Sequence, residues 1–132
     1  MKPLKLEPTE PTESQVHATV AQFLDWALME PAFYTTFPAG WGVLTKATAG
    51  RLKGAGLKQG MPDMLVFHAS RTIGIELKSY KGKLTAAQKL THERLHRAGV
   101  HVAVCSSLDE VITILKLAGI PLRRTRGASD AA

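Results

Sequence analysis

The chain has 132 residues, 45% of them hydrophobic, with a net charge of +6 and a pI near 9.7. That is material for one soluble domain with a single core, and its basic balance favours a polyanionic partner. One cysteine, Cys105, excludes an internal disulfide; no apolar run approaches a membrane span, and the N-terminus lacks the layout of a secretion signal, so a reducing, cytoplasmic address is expected.

Residues 1–11 set Pro3, Pro8 and Pro11 among polar neighbours, which predicts a flexible arm. Thr12-Glu13-Ser14-Gln15 is a capping box, opening a helix that ends before Pro31 and whose apolar stripe is Val16, Val20, Phe23, Leu24 and Ala27. Glu13 falls on the middle of that stripe. It is either a first-turn acid favoured by the helix dipole or a carboxylate aimed inward. A short strand is expected over residues 33–37, ended by Pro38, then a loop at Ala39-Gly40-Trp41-Gly42.

Thr45 can cap a second helix to about Ala55, carrying Lys46, Arg51 and Lys53, with Lys58 beyond it. These cations read as a solvated face or, given their nearness to Asp63, as phosphate contacts. Residues 63–67 and 72–78 are β-type runs joined by His68-Ala69-Ser70-Arg71, which predicts a hairpin. Lys81 and Lys83 follow in a loop with Tyr80, where backbone phosphates could pass. Thr85-Ala86-Ala87-Gln88 is a second capping box, which by itself accounts for Gln88; the helix it opens runs to about Ala98 and stops at Gly99. A buried strand over 100–105 and a helix over 109–118 complete the domain, placed at 12–118. The remainder, 119–132, holds Arg123, Arg124 and Arg126 and reads as a mobile tail that adds non-specific DNA affinity. The order helix, strand, helix, strand, strand, helix, strand, helix predicts an α/β fold, a mixed sheet flanked by helices.

The hairpin carries the chemistry. Pairing Phe67 with Thr72 sets Asp63 opposite Glu76, with Cβ atoms roughly 5 Å apart on one face. Lys78 points to that face too, while Met64, Val66, Ile73, Ile75 and Leu77 point to the other, which reads as core. Facing carboxylates repel unless one takes a proton or a cation sits between them. A hard divalent ion with oxygen ligands resolves this, and it can polarise a phosphate and acidify a water. Lys78 would then orient that water or offset charge on the phosphate. Taken singly, Asp63 is explained as a turn residue after Pro62, and Glu76 with Lys78 as a solvated strand face. That explanation covers the three together poorly.

Gly60-Met61-Pro62-Asp63-Met64-Leu65, then Gly74-Ile75-Glu76-Leu77-Lys78, then Gly82-Lys83-Leu84-Thr85-Ala86-Ala87-Gln88 resembles the VRR-NUC (virus-type replication-repair nuclease) branch of the PD-(D/E)xK nucleases. The likeness extends from about Glu13 through the strand ending at Cys105 and the Ser106-Ser107-Leu108-Asp109-Glu110 after it. It implies the restriction-endonuclease-like core and a Mg²⁺- or Mn²⁺-dependent DNA nuclease. For short stand-alone members of phage or bacterial origin it further implies a homodimer acting on branched DNA such as four-way junctions. It assigns Asp63 and Glu76 to the metal, with the Leu77 carbonyl as a further ligand and Lys78 beside the nucleophile. It also tips Glu13 towards completing the site and places Gln88 near the metal. Trp41 departs from the more polar, asparagine-bearing loop of family members.

Two other readings compete. His92-Glu93-Arg94-Leu95-His96 satisfies the H-E-x-x-H zinc pattern of a metallohydrolase. Against it, His101 falls one residue short of the longer form, and a helical wheel puts Ala87, Leu90, Leu95 and Ala98 on one side with His92 and His96 opposite, facing solvent. His17 and His68 read as surface or boundary residues. The other is a DNA-binding module without catalysis, which would have no reason to keep opposed carboxylates.

Overall fold

The computed structural model describes residues 10–37 and 45–124. Residues 1–9 of the expected arm, the loop with Trp41, and the tail from 125, with Arg126, lie outside the described residues. The elements run α1 (Glu13–Ala27), β1 (Phe33–Thr36), α2 (Lys46–Gly54), β2 (Met64–His68), β3 (Arg71–Leu77), α3 (Ala86–Arg97), β4 (His101–Cys105) and α4 (Leu108–Leu117), in the predicted order. Each helix starts where a hydroxyl can satisfy an orphan N–H: Thr12, Thr45, Thr85 and Ser107 all accept from the backbone inside their helices. At Thr12 and Thr85 the box is closed in both directions.

The strands form one mixed sheet in the order β1-β2-β3-β4. β1 pairs with β2 and β2 with β3 antiparallel, whereas β3 and β4 are parallel, as the α3 crossover between them requires. Phe67 pairs with Thr72 as expected, but His68 also pairs with Arg71, so the hairpin loop shortens to Ala69-Ser70. Ala69 takes φ 51, a positive dihedral at the first central position of such a tight turn.

One sheet face is apolar. Met64, Val66, Ile73, Ile75 and Leu77, joined by Ala103 and Cys105 of β4, lie under Val16, Val20 and Leu24 of α1 and Val111 and Leu115 of α4. Each fully buried aliphatic side chain there contributes about 1.5–3 kcal/mol. His17 is buried in α1 rather than lying at the surface or boundary. Ile120 joins the core and Leu122 bridges to Leu28, so the packed unit runs past the expected boundary at 118.

The opposite face is covered differently. α3 packs on β4 and reaches β3 through His92 and Glu76, and Gly74 and Glu76 are buried. Gly74 has no room for a side chain: a Cβ on it would stand 3.0 Å from both Pro62 Cγ and Val102 Cγ2. Pro62 thus seats against the strand and delivers Asp63 to the start of β2. The segment before it is pinned to α3, where Thr91 Oγ1 donates to the Gln59 carbonyl at 2.5 Å and Gly60, at φ 79, lies against the first turn of the helix. No helix among the described residues is long and apolar enough to cross a membrane.

Candidate active site

The register places Met64 opposite Ile75, and the next step along the ladder sets Asp63 beside Glu76 and Leu77. Asp63 Oδ2 accepts from the Leu77 backbone N–H at 2.6 Å, closing the end of the hairpin. Its carboxyl is also close enough to that of Glu76 to act on its protonation. Glu76 is only 1% exposed, an unusual position for an acid. Burial pushes its carboxyl up to about 9, the hydrogen bond and charge of Asp63 push the same way, Lys78 opposes them, and Glu13 adds a smaller upward push. The pair therefore holds a proton near neutrality unless a cation replaces it.

Lys78 continues from β3, its backbone N–H donating to the Cys105 carbonyl at 2.9 Å. Its ammonium is near enough to favour ionised Glu76 and disfavour charged His92. Among the described residues it forms no direct ion pair; Arg97 pairs with Glu93, and the contact of Glu76 is with the His92 imidazole. Glu13, on the first turn of α1, turns its Oε1 to the Ser79 N–H at 3.2 Å. A Cβ on Gly82 would stand 3.2 Å from that same oxygen, so the loop after Lys78 folds closely over Glu13. Glu13 and Lys78 thus lie near enough to Glu76 to act on its charge, from α1 and the end of β3, without closing into a cluster with it and Asp63.

The remaining candidates are less central. Gln88 spends its Oε1 on the Thr85 N–H at 2.9 Å, leaving only its amide N–H groups for another partner. Leu77 brings its backbone to Asp63 and buries its side chain in the core. Lys81 and Lys83 are exposed on the loop beside the site. Lys46, Arg51, Lys53 and Lys58 are exposed on and after α2, a helix with no buried residue.

The expected placement of His92 is corrected. It is buried, with Nε2 at 3.2 Å from Glu76 Oε1, while Leu90 is 52% exposed. Burial lowers its pKa, with His96 and Lys78 lowering it further against the pull of Asp63, so the ring is neutral. His96 faces another way: its Nε2 accepts from the Val102 N–H at 3.0 Å and its ring stacks on His101. Glu93 pairs with Arg97 on the exposed side. The three residues of the zinc pattern therefore do not converge.

Among the described residues no three His, Cys, Asp or Glu side chains converge as a closed metal-binding cluster. The donors present still fit a hard divalent ion. Mg²⁺ takes one or two carboxylates and keeps several waters, and Asp63 and Glu76 offer that: two oxygen donors, one of them buried with no full positive charge paired to it. Sequence reasoning missed His92, Thr91 and the seating of Pro62 on Gly74; the glycine in Gly74-Ile75-Glu76 was the available signal for the last.

The VRR-NUC domain family model matches residues 3–109. A solved structure described as a VRR_NUC domain protein superposes with a TM-score of 0.66 at 24% identity, covering 82% of this chain and 88% of that one, which establishes the likeness of fold. No match was found among curated proteins.

Proposed function

The chain belongs to the VRR-NUC domain family, a nuclease-type DNA-processing domain, and on that premise we propose that it is a divalent-metal-dependent endonuclease that hydrolyses phosphodiester bonds in branched DNA. Asp63 and Glu76 hold Mg²⁺ or Mn²⁺, with the Leu77 carbonyl and Glu13 assisting directly or through water. The ion supplies Lewis acidity to the scissile phosphate and lowers the pKa of the attacking water. Lys78 orients that water and offsets charge developing on the phosphate. The amide of Gln88 is left to contact a phosphate oxygen. Lys46, Arg51, Lys53, Lys58, Lys81 and Lys83 contribute salt-sensitive attraction to the backbone. A two-fold junction needs paired cuts, so the working unit is a homodimer in the bacterial or phage-infected cytoplasm.

The observation that carries this is the meeting of Glu76, almost wholly withdrawn from water, with a second carboxylate and no full positive charge paired to it. Such an arrangement is unfavourable unless a proton or a metal ion compensates it. The test is incubation with labelled four-way, flapped, single-stranded and linear DNA in Mg²⁺, Mn²⁺ or EDTA. Metal-dependent symmetric nicking of the four-way junction is expected. No cleavage of any substrate with either ion would remove the enzyme.

A further inference from the structure

Helix α3 buries two consecutive polar residues, Thr91 and His92, against the sheet, while Glu93, Arg94 and Arg97 stand in solvent. A buried imidazole or hydroxyl is costly without a partner, so what each bonds to defines its role. Thr91 Oγ1 takes the Gln59 carbonyl, fixing the segment that leads to Asp63; His92 Nε2 takes Oε1 of Glu76 at 3.2 Å. One turn of helix thereby grips the backbone ahead of one acid and the side chain of the other. His92 reaches the carboxylate from the α3 side, and Asp63 from the neighbouring strand. With Glu76 1% exposed, water cannot substitute freely for the imidazole.

We propose that His92 is a positioning residue for the metal centre: its Nε2 holds one oxygen of Glu76 so that the other is presented to a divalent ion beside Asp63. The inference rests on Asp63 and Glu76 being metal ligands. With a proton on Nε2 the ring is a donor to the Glu76 carboxylate across that 3.2 Å contact. Partners of this kind orient a ligand before the metal arrives, and their loss typically weakens metal affinity by about 10–100-fold.

The experiment is calorimetric titration of Mn²⁺ into the full chain without DNA, comparing wild type with His92→Gln, His92→Asn and His92→Leu. The Gln amide nitrogen can stand in for Nε2, whereas Asn is too short and Leu has no donor. Wild type and His92→Gln are expected to bind Mn²⁺ within a few-fold of each other, and Asn and Leu about 10–100-fold more weakly. DNA affinity in EDTA should be the same for all four, and raised Mn²⁺ should recover nicking by the weak variants. Should His92→Leu fail to fold, the Gln and Asn pair, alike in chemistry and different in reach, decides the matter. Equal Mn²⁺ affinity in wild type and His92→Asn overturns the role of His92 alone. No Mn²⁺ binding by folded wild type overturns the metal centre itself, and this inference with it.

Discussion

Replacing Gly60 by alanine tests how the loop before Asp63 is held. Gly60 sits at φ 79, and a Cβ there would stand 2.3 Å from the Ala87 carbonyl oxygen, 2.5 Å from its carbon and 2.7 Å from the Gln88 nitrogen. All three are backbone atoms in the first turn of α3, so no side-chain rotation relieves the overlap. The left-handed dihedral and the overpacking together cost about 2–5 kcal/mol. For a domain of this size that corresponds to a fall in Tm of roughly 7–18 °C. Gly50 is the internal control: it lies within α2 with nothing within 4 Å of a built Cβ, so Gly50→Ala should gain about 0.5–1 kcal/mol. Thermal melts followed by circular dichroism in EDTA compare the two, and nicking is then measured at a temperature where both are folded. Gly60→Ala should also cut slowly, because a shift of about 1 Å in a reacting group can cost on the order of 10²-fold. Opposite signs for the two glycines are expected. A Gly60→Ala protein melting with wild type would refute the close approach of this loop to α3.

Asp63→Asn keeps an acceptor for the Leu77 N–H but loses the negative charge, so it should fold, bind DNA with wild-type salt sensitivity and fail to cut. Lys78→Ala should reduce the nicking rate by about 10²–10³-fold with little loss of affinity; wild-type rates in both variants would move the active centre elsewhere. A second expectation concerns pH. Glu76 is raised to about 9, so in metal-free protein the folded state keeps a proton that the unfolded chain releases above the usual carboxylate range. Folding stability should therefore fall as pH rises from that range towards 9. Denaturant titrations in EDTA should show this decline in wild type and a shallower one in Glu76→Gln. A wild-type profile no steeper than that of Glu76→Gln would contradict the burial of an uncompensated acid.

Where local chemistry decides structure, the sequence was transparent. Threonine hydroxyls at Thr12, Thr45 and Thr85 begin their helices, the alternation in 64–77 sets the core face, and the register that puts Asp63 beside Glu76 follows from turn length within a residue or two. The turn is tighter than its sequence suggests, because His68 and Arg71 look like loop residues, yet a positive φ at Ala69 lets them pair. Ile120 and Leu122 lie in a basic, glycine-bearing stretch whose composition outweighs two apolar side chains; their places come from tertiary contacts, Ile120 in the core and Leu122 bridged to Leu28.

The misplacement of His92 has a more instructive cause. A helical wheel assigns the inward side to the most apolar residues, which holds for α1 and α4 because they lie on the apolar face of the sheet. α3 lies on the other face, where the central strand offers Gly74 and Glu76 rather than Val or Ile, so the favourable partners are a hydroxyl and an imidazole. Leu90 consequently turns outward, 52% exposed, while His92 turns in. The exchange is confined to that turn: Leu95 stays half-buried, and Glu93, Arg94, His96 and Arg97 remain exposed. Two buried polar residues over a strand with an inward acid are the kind of departure from the local rule that functional sites show. The exchange of Leu90 for His92 thus follows from the inward acid on β3, since a strand presenting Val or Ile there would have drawn Leu90 inward.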